Sequence, residues 1–194
     1  MRKIFTLSLS VLWVAVLAAR ADIIPSFAGV TPSGGNTVWA YTIDITSGQN
    51  VTTGDFFTIY DFGPFMAGTG VQPSGWALSS AFVGVTPSQT LPPDDPAILN
   101  LTWTYSGSTL TGTGLGPFSV TIAGVTPSPA PIHTSHFAAE GTQISSEDKI
   151  DNVGQISVPV IVPEASTFSL FVGASGLMGV CWIISRLRKH QLRA

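Results

Sequence analysis

The middle of this 194-residue chain has almost no positive charge. The sequence contains 8 lysines and arginines, but residues 22–163 hold only Lys149, together with ten aspartates and glutamates. A surface this acidic repels phosphate backbones, so no nucleic-acid partner is expected. The single cysteine, Cys181, lies in an apolar run near the C terminus. The rest of the sequence therefore contains no disulfide and no thiol nucleophile or metal ligand.

Patterns typical of catalytic sites are also scarce. His133 and His136 are the only histidines in residues 22–163. On a strand, their spacing places them on opposite faces, which is poor for sharing one metal ion. The chain has no Gly-x-Ser-x-Gly sequence of the kind that presents a nucleophilic serine. We therefore predict that the protein is not an enzyme and needs no cofactor for catalysis.

The N terminus has the three parts of a secretory signal peptide. Arg2 and Lys3 give a positive start, residues 4–19 are apolar and uncharged, and Ala19 and Ala21 are small residues at −3 and −1 of a cleavage site. We predict a signal peptide over residues 1–21, which signal peptidase removes. A retained N-terminal anchor is the alternative, but the apolar run is short for a membrane span.

The C terminus combines a short polar motif, an apolar run and a basic tail. Residues 165–185 carry no charge. At about 1.5 Å of rise per residue, a helix of this length spans roughly 30 Å, the thickness of a bilayer's hydrocarbon core. We predict a transmembrane helix over residues 168–185, with the tail 186–194 in the cytoplasm by the positive-inside rule. The motif is Pro163, Glu164, Ala165, Ser166 and Thr167, and the basic residues of the tail are Arg186, Arg188, Lys189 and Arg193.

This C-terminal segment, residues 162–194, resembles a PEP-CTERM sorting signal, which marks a family of bacterial surface and secreted proteins. It differs from the usual Pro-Glu-Pro motif at Ala165. The resemblance implies an exosortase as processing partner, and a membrane-anchored precursor that is delivered to the cell surface or extracellular matrix. An ordinary single-pass anchor is the alternative. Residues 55–62, 73–76 and 100–105 are similar to the β-rich ectodomains that precede such signals.

Residues 22–161 show the alternation of apolar and polar side chains that is typical of half-buried strands. In residues 38–45, Trp39, Tyr41 and Ile43 share one face while Thr42 and Asp44 share the other. Similar patterns occur in residues 56–62, 76–83, 98–105 and 118–122, and weaker ones in residues 108–115 and 133–140. Residues 156–162 are predicted to form the last strand, which Pro159 confines to an edge or a bulge. Clusters of Gly, Pro, Ser and Asp separate them. We predict an exported all-β domain, an antiparallel β-sandwich, with a jelly roll as the alternative.

One pentapeptide, Gly-Val-Thr-Pro-Ser, occurs three times, at residues 29–33, 84–88 and 124–128. The proline cannot donate to a sheet ladder, and it holds the preceding threonine extended. Each copy is therefore predicted to be a strand end that passes into a turn. The unequal spacing argues against a solenoid.

Two groups of residues suggest ligand binding. Trp39, Trp76 and Trp103 lie at apolar positions of predicted strands, where core packing is the default, although such rings also form sugar-stacking platforms. Glu147, Asp148 and Asp151 form an acidic loop that suits either a solvated turn or a Ca²⁺ site.

These features predict a non-enzymatic protein that is exported to the cell surface or to an extracellular polysaccharide matrix. The alternative function is an extracellular carbohydrate-binding module that is held at the cell surface.

Overall fold

A computed structural model describes residues 23–124 and 132–160, and in these ranges the chain forms nine strands and no helix. The strands are β1 (Ile23–Ser33), β2 (Asn36–Ile45), β3 (Gln49–Asn50), β4 (Phe56–Ile59), β5 (Trp76–Ala81), β6 (Asn100–Tyr105), β7 (Leu115–Ile122), β8 (Ile132–Gln143) and β9 (Lys149–Pro159). The prediction of an all-β domain with antiparallel pairing is confirmed. The predicted signal peptide, sorting motif, transmembrane helix and basic tail lie outside the described residues.

The strands form two antiparallel sheets. The three-stranded sheet has the order β1-β2-β7, and the six-stranded sheet has the order β3-β8-β4-β6-β5, with β9 paired to β8. The predicted alternation is clearest in β2, where every second residue is buried. The turn between β1 and β2 uses Gly34 and Gly35 with φ of 56° and 81°. Such positive values favour glycine and are typical of tight hairpins.

The buried faces of the two sheets share one hydrophobic core. Phe118 of β7 meets three aromatic rings of the six-stranded sheet edge-on. Its ring centroid lies 5.0 Å from that of Phe57, 5.1 Å from Trp76 and 5.9 Å from Trp103. Because β7 belongs to the three-stranded sheet, this aromatic cluster connects the two sheets.

The sequence pattern does not predict β1, because Pro25 and Pro32 break its alternation. The strand accommodates both prolines at an edge, since it pairs only with β2 among the described strands. A register shift between Phe27 and Gly29 marks a β-bulge, and Gly29 has a φ of 144°. The bulge allows the strand to continue through a sequence that otherwise indicates a loop.

Two predicted strands also need correction. Residues 108–115 form a loop, in which only Leu110 makes a bridge, to Val51, before β7 begins at Leu115. The last strand begins at Lys149 rather than at residue 156. The sequence pattern does not indicate the first half of this strand, because the residue that is buried there is an aspartate, Asp151, rather than an apolar residue.

Candidate functional site on the six-stranded sheet

The face of the six-stranded sheet that points away from the core is covered by residues 82–97, named here the cover segment. Thr58 and Tyr60 alternate with core residues in and just after β4, so they point toward this outer face. Both are nevertheless 0% exposed. Their hydroxyl groups donate to the carbonyl oxygen of Val85, at 2.9 and 2.6 Å. The cover segment therefore creates a second buried layer on this sheet.

Carboxylates fix the cover segment to the sheet. Asp94, itself in the cover segment, accepts a hydrogen bond from the side-chain amide of Asn100 in β6 at 2.9 Å, and one from the backbone N–H of Gly84 within the segment at 3.1 Å. At the far side of the sheet, Asp151 of β9 accepts a hydrogen bond from the backbone N–H of Gln89. Charge-assisted bonds of this kind are stronger than neutral ones. The acidic residues are thus used to hold a long loop in place.

The second Gly-Val-Thr-Pro-Ser copy lies in the cover segment. A Cβ atom on Gly84 would lie 2.4 Å from Cε1 of Tyr60 and 3.1 Å from Cγ2 of Thr58, so only glycine allows this close approach. The first copy ends β1 before the Gly34-Gly35 turn, as predicted. The second differs from the prediction, because it crosses the sheet instead of forming a simple turn. Most of the third copy lies outside the described residues.

We expect Gly84→Ala to destabilise the domain by about 1–3 kcal/mol, because the added methyl group would push the cover segment away from Tyr60. The midpoint of urea unfolding, followed by tryptophan fluorescence, measures this change. Val83→Ala is the matched control. Val83 is 70% exposed in the same segment, so its loss should change stability by no more than about 0.5 kcal/mol. Equal effects of the two changes would contradict a close-packed role for Gly84.

Two buried tyrosines, Tyr41 and Tyr60, are expected to make the stability of the domain depend on pH. Burial raises the pKa of Tyr41 well above its ordinary value of 10.0. Burial, and then the negative charge of Asp94, raise the pKa of Tyr60 in the same direction. Above pH 10 the unfolded chain loses these protons while the folded chain keeps them. The stability that these two protonated tyrosines contribute is therefore fully present below about pH 10 and is lost as the pH rises further, by at most about 1.4 kcal/mol per pH unit for each tyrosine.

Unfolding curves measured at a series of alkaline pH values test this expectation. Tyr60→Phe removes one titrating group, so we expect a shallower loss of stability above pH 10 than in the unchanged protein. A pH dependence that is the same in both proteins would contradict the assignment to Tyr60.

The three tryptophans proposed for glycan contact are core residues. Trp39 is 1% exposed, Trp76 is 5% exposed and Trp103 is 0% exposed. The ring of Trp103 stacks on Phe57 at a centroid distance of 5.0 Å. Since a sugar stacks on an exposed ring face, this burial contradicts the glycan-contact hypothesis for these three side chains.

The acidic loop is likewise not assembled as a metal site. Glu147 and Asp148 are exposed in the turn between β8 and β9, whereas Asp151 is 8% exposed and bonded to the cover segment. Within residues 23–124 and 132–160, no group of three or more His, Cys, Asp or Glu side chains is placed to hold a metal ion. A Ca²⁺ site built from these three carboxylates therefore stays a prediction.

A polar centre that the sequence did not reveal lies between the β3–β4 link and β9. Asp55 is 0% exposed, and its carboxylate accepts hydrogen bonds from the backbone N–H of Thr52 at 2.7 Å and from the hydroxyl of Thr142 at 2.9 Å. Lys149 forms an ion pair with the same carboxylate. The one available signal was that Lys149 is the sole cation in residues 22–163.

An open cleft of about 430 Å³ lies beside β5. Its wall includes Phe65, Gln72, Trp76, Leu78 and Ser79. The mixture of aromatic, amide and hydroxyl groups is typical of surfaces that bind small polar ligands. Trp76 is only 5% exposed, so Phe65 is the more accessible aromatic side chain of the wall.

Comparison with known proteins gave no match to a family model, to a curated protein or to a solved structure. In the described part of the chain, no helix has the length and apolar character of a membrane span.

Proposed function

We propose that this chain is a non-enzymatic exported β-sandwich protein that is sorted by a PEP-CTERM signal to the cell surface or extracellular matrix. The observation that carries the proposal is the sequence order. An acidic all-β domain stands between a predicted signal peptide and a segment that resembles a sorting signal. The two antiparallel sheets with a shared core support the sandwich arrangement.

The roles of three hydrogen-bonded carboxylates also support a structural protein. Asp55 holds the β3–β4 link, and Asp94 and Asp151 hold the cover segment, each through hydrogen bonds to backbone N–H groups. Bonds of this kind stiffen loops that would otherwise be mobile. A domain with fixed loops and an acidic surface suits a building unit of a hydrated matrix outside the cell.

The mass of the C-terminal peptide of the mature protein, isolated from the envelope and the medium of the native cell, tests sorting. We expect a terminus near Pro163 and Glu164, with residues 168–194 removed. A double replacement of Pro163 and Glu164 by alanine should leave the chain uncut in the membrane. An intact Ala194 terminus in the unchanged protein would contradict sorting and indicate a single-pass anchor. Turnover of glycan, peptide or ester substrates by the purified protein would contradict the non-enzymatic role.

The cleft beside β5 favours a second candidate function, a carbohydrate-binding module. Binding of a glycan there should change tryptophan fluorescence, because Trp76 lies in the cleft wall. Phe65→Ala should abolish that response, whereas Val83→Ala, outside the cleft, should leave it unchanged. No response to a broad panel of glycans would contradict this function.

A further inference from the structure

Lys149 and Asp55 lie in contact although 94 positions separate them in the chain. The side chain of Lys149 is 39% exposed, whereas that of Asp55 is 0% exposed. Lys149 also supplies the only side-chain amine in residues 22–163. We propose that these two side chains form an intramolecular isopeptide bond, an amide that joins Nζ of Lys149 to Cγ of Asp55.

The surrounding groups hold both reactants in place. The carboxylate is fixed by the backbone N–H of Thr52 at 2.7 Å and by the hydroxyl of Thr142 at 2.9 Å. Nζ of Lys149 also lies 3.0 Å from the hydroxyl oxygen of Thr142 and 3.4 Å from that of Thr52. Reactants that are held together in this way behave as if their local concentration were about 10⁵ M or more. The fold thus supplies the proximity that a free amine and a free acid lack in water.

The reaction balances without any further reagent. One proton moves from the ammonium group of Lys149 to the carboxylate of Asp55, which gives an amine and a carboxylic acid. The nitrogen lone pair then attacks Cγ, a C–O bond breaks, and the oxygen leaves as water with one proton from the acid and one from the nitrogen. The hydroxyl of Thr142 contacts both Nζ and Oδ2, so it is placed to pass the second proton. The product is a neutral amide and one water.

The bond would connect the β3–β4 link to the first residue of β9. It would replace an ion pair at a fully buried carboxylate by a neutral group, which removes the cost of keeping charge out of water. It would also restrict the unfolded chain as a disulfide does. Residues 22–163 contain no cysteine that could form such a cross-link.

The position of Lys149 makes the test simple, because it is the only tryptic site between Arg20 and Arg186. The full chain is denatured and digested with trypsin, and the fragments are weighed by mass spectrometry. An acylated lysine is not cut, so we expect one fragment that spans Lys149, lighter than its sequence mass by about 18 Da, the mass of one water. Complete cleavage after Lys149 with no mass deficit would overturn the proposal.

Two variants establish that Asp55 is the partner. In Asp55→Ala the chain should be cut after Lys149, with no mass deficit. Asp55→Asn preserves the shape of the side chain and keeps the proposal testable where alanine prevents folding. If the carboxamide of this second variant forms the amide, it releases ammonia, and the mass deficit of the fragment should fall to about 17 Da. If this variant forms no bond, the carboxyl group of Asp55 is required for the reaction. A deficit of about 18 Da that persists in either variant would overturn the assignment to Asp55.

Discussion

Replacing Phe118 with alanine is expected to lower the free energy of unfolding by about 3–5 kcal/mol. Phe118 is 0% exposed, and its ring touches Phe57, Trp76 and Trp103 of the opposite sheet. The change would leave a cavity where the two sheets meet, since backbone hydrogen bonds prevent the strands from closing around it. Urea unfolding, followed by the fluorescence of the neighbouring tryptophans, measures the loss.

Phe82→Ala is the matched control for this change. It removes the same ring from a side chain that is 54% exposed at the start of the cover segment, so a change of about 0.5 kcal/mol or less is expected. If the two variants lost the same stability, Phe118 would not be the residue that connects the sheets.

The regular strands could be predicted from the sequence because local periodicity fixes which face is buried. In β2, the alternating apolar residues Trp39, Tyr41 and Ile43 are buried on one face, and β2 is the central strand of its sheet. The burial of Trp39 and Trp103 agrees with the rule that large apolar side chains on strands enter the core. The same burial leaves these two rings without an exposed face on which a glycan could stack.

The cover segment could not be predicted, because its contacts are made between distant parts of the chain. Thr58 and Thr102 occupy the polar positions of β4 and β6, which the alternation assigns to solvent. They are instead 0% and 4% exposed, and their hydroxyls lie 2.9 Å apart under the segment. Periodicity reports which face of a strand meets the core, but it carries no information about a loop that returns across the other face.

The acidic residues of the candidate site also show that local sequence does not predict contacts between distant parts of the chain. Glu147, Asp148 and Asp151 are close in sequence, and this proximity suggested a shared ion. A strand that begins at Lys149 instead separates Asp151 from the exposed turn. Asp55 carried no local signal at all, since its partners Thr142 and Lys149 lie on the distant β8–β9 hairpin.

Through its hydrogen bonds and ion pair alone, without any contribution from the proposed isopeptide bond, Asp55→Ala is expected to lower the free energy of unfolding by about 2–4 kcal/mol. The change removes the acceptor for the N–H of Thr52 and the hydroxyl of Thr142, and it deprives Lys149 of its partner. The estimate stays below the full cost of breaking a buried pair, because the Lys149 side chain is 39% exposed and can turn toward water. Chemical denaturation of the two full-length proteins gives the difference.

Asp148→Ala, in the exposed turn of the β8–β9 hairpin, is the matched control, and it should change stability by about 0.5 kcal/mol or less. A double variant, Asp55→Leu with Lys149→Met, replaces both charged groups by apolar side chains. It should be more stable than Lys149→Met alone, because that single change leaves the buried carboxylate of Asp55 without a counter-charge. If Lys149→Met alone were as stable as the unchanged protein, the Lys149–Asp55 contact would contribute nothing to the fold. The link between the β8–β9 hairpin and the β3–β4 segment would then rest on the hydrogen bonds of Thr142 in β8.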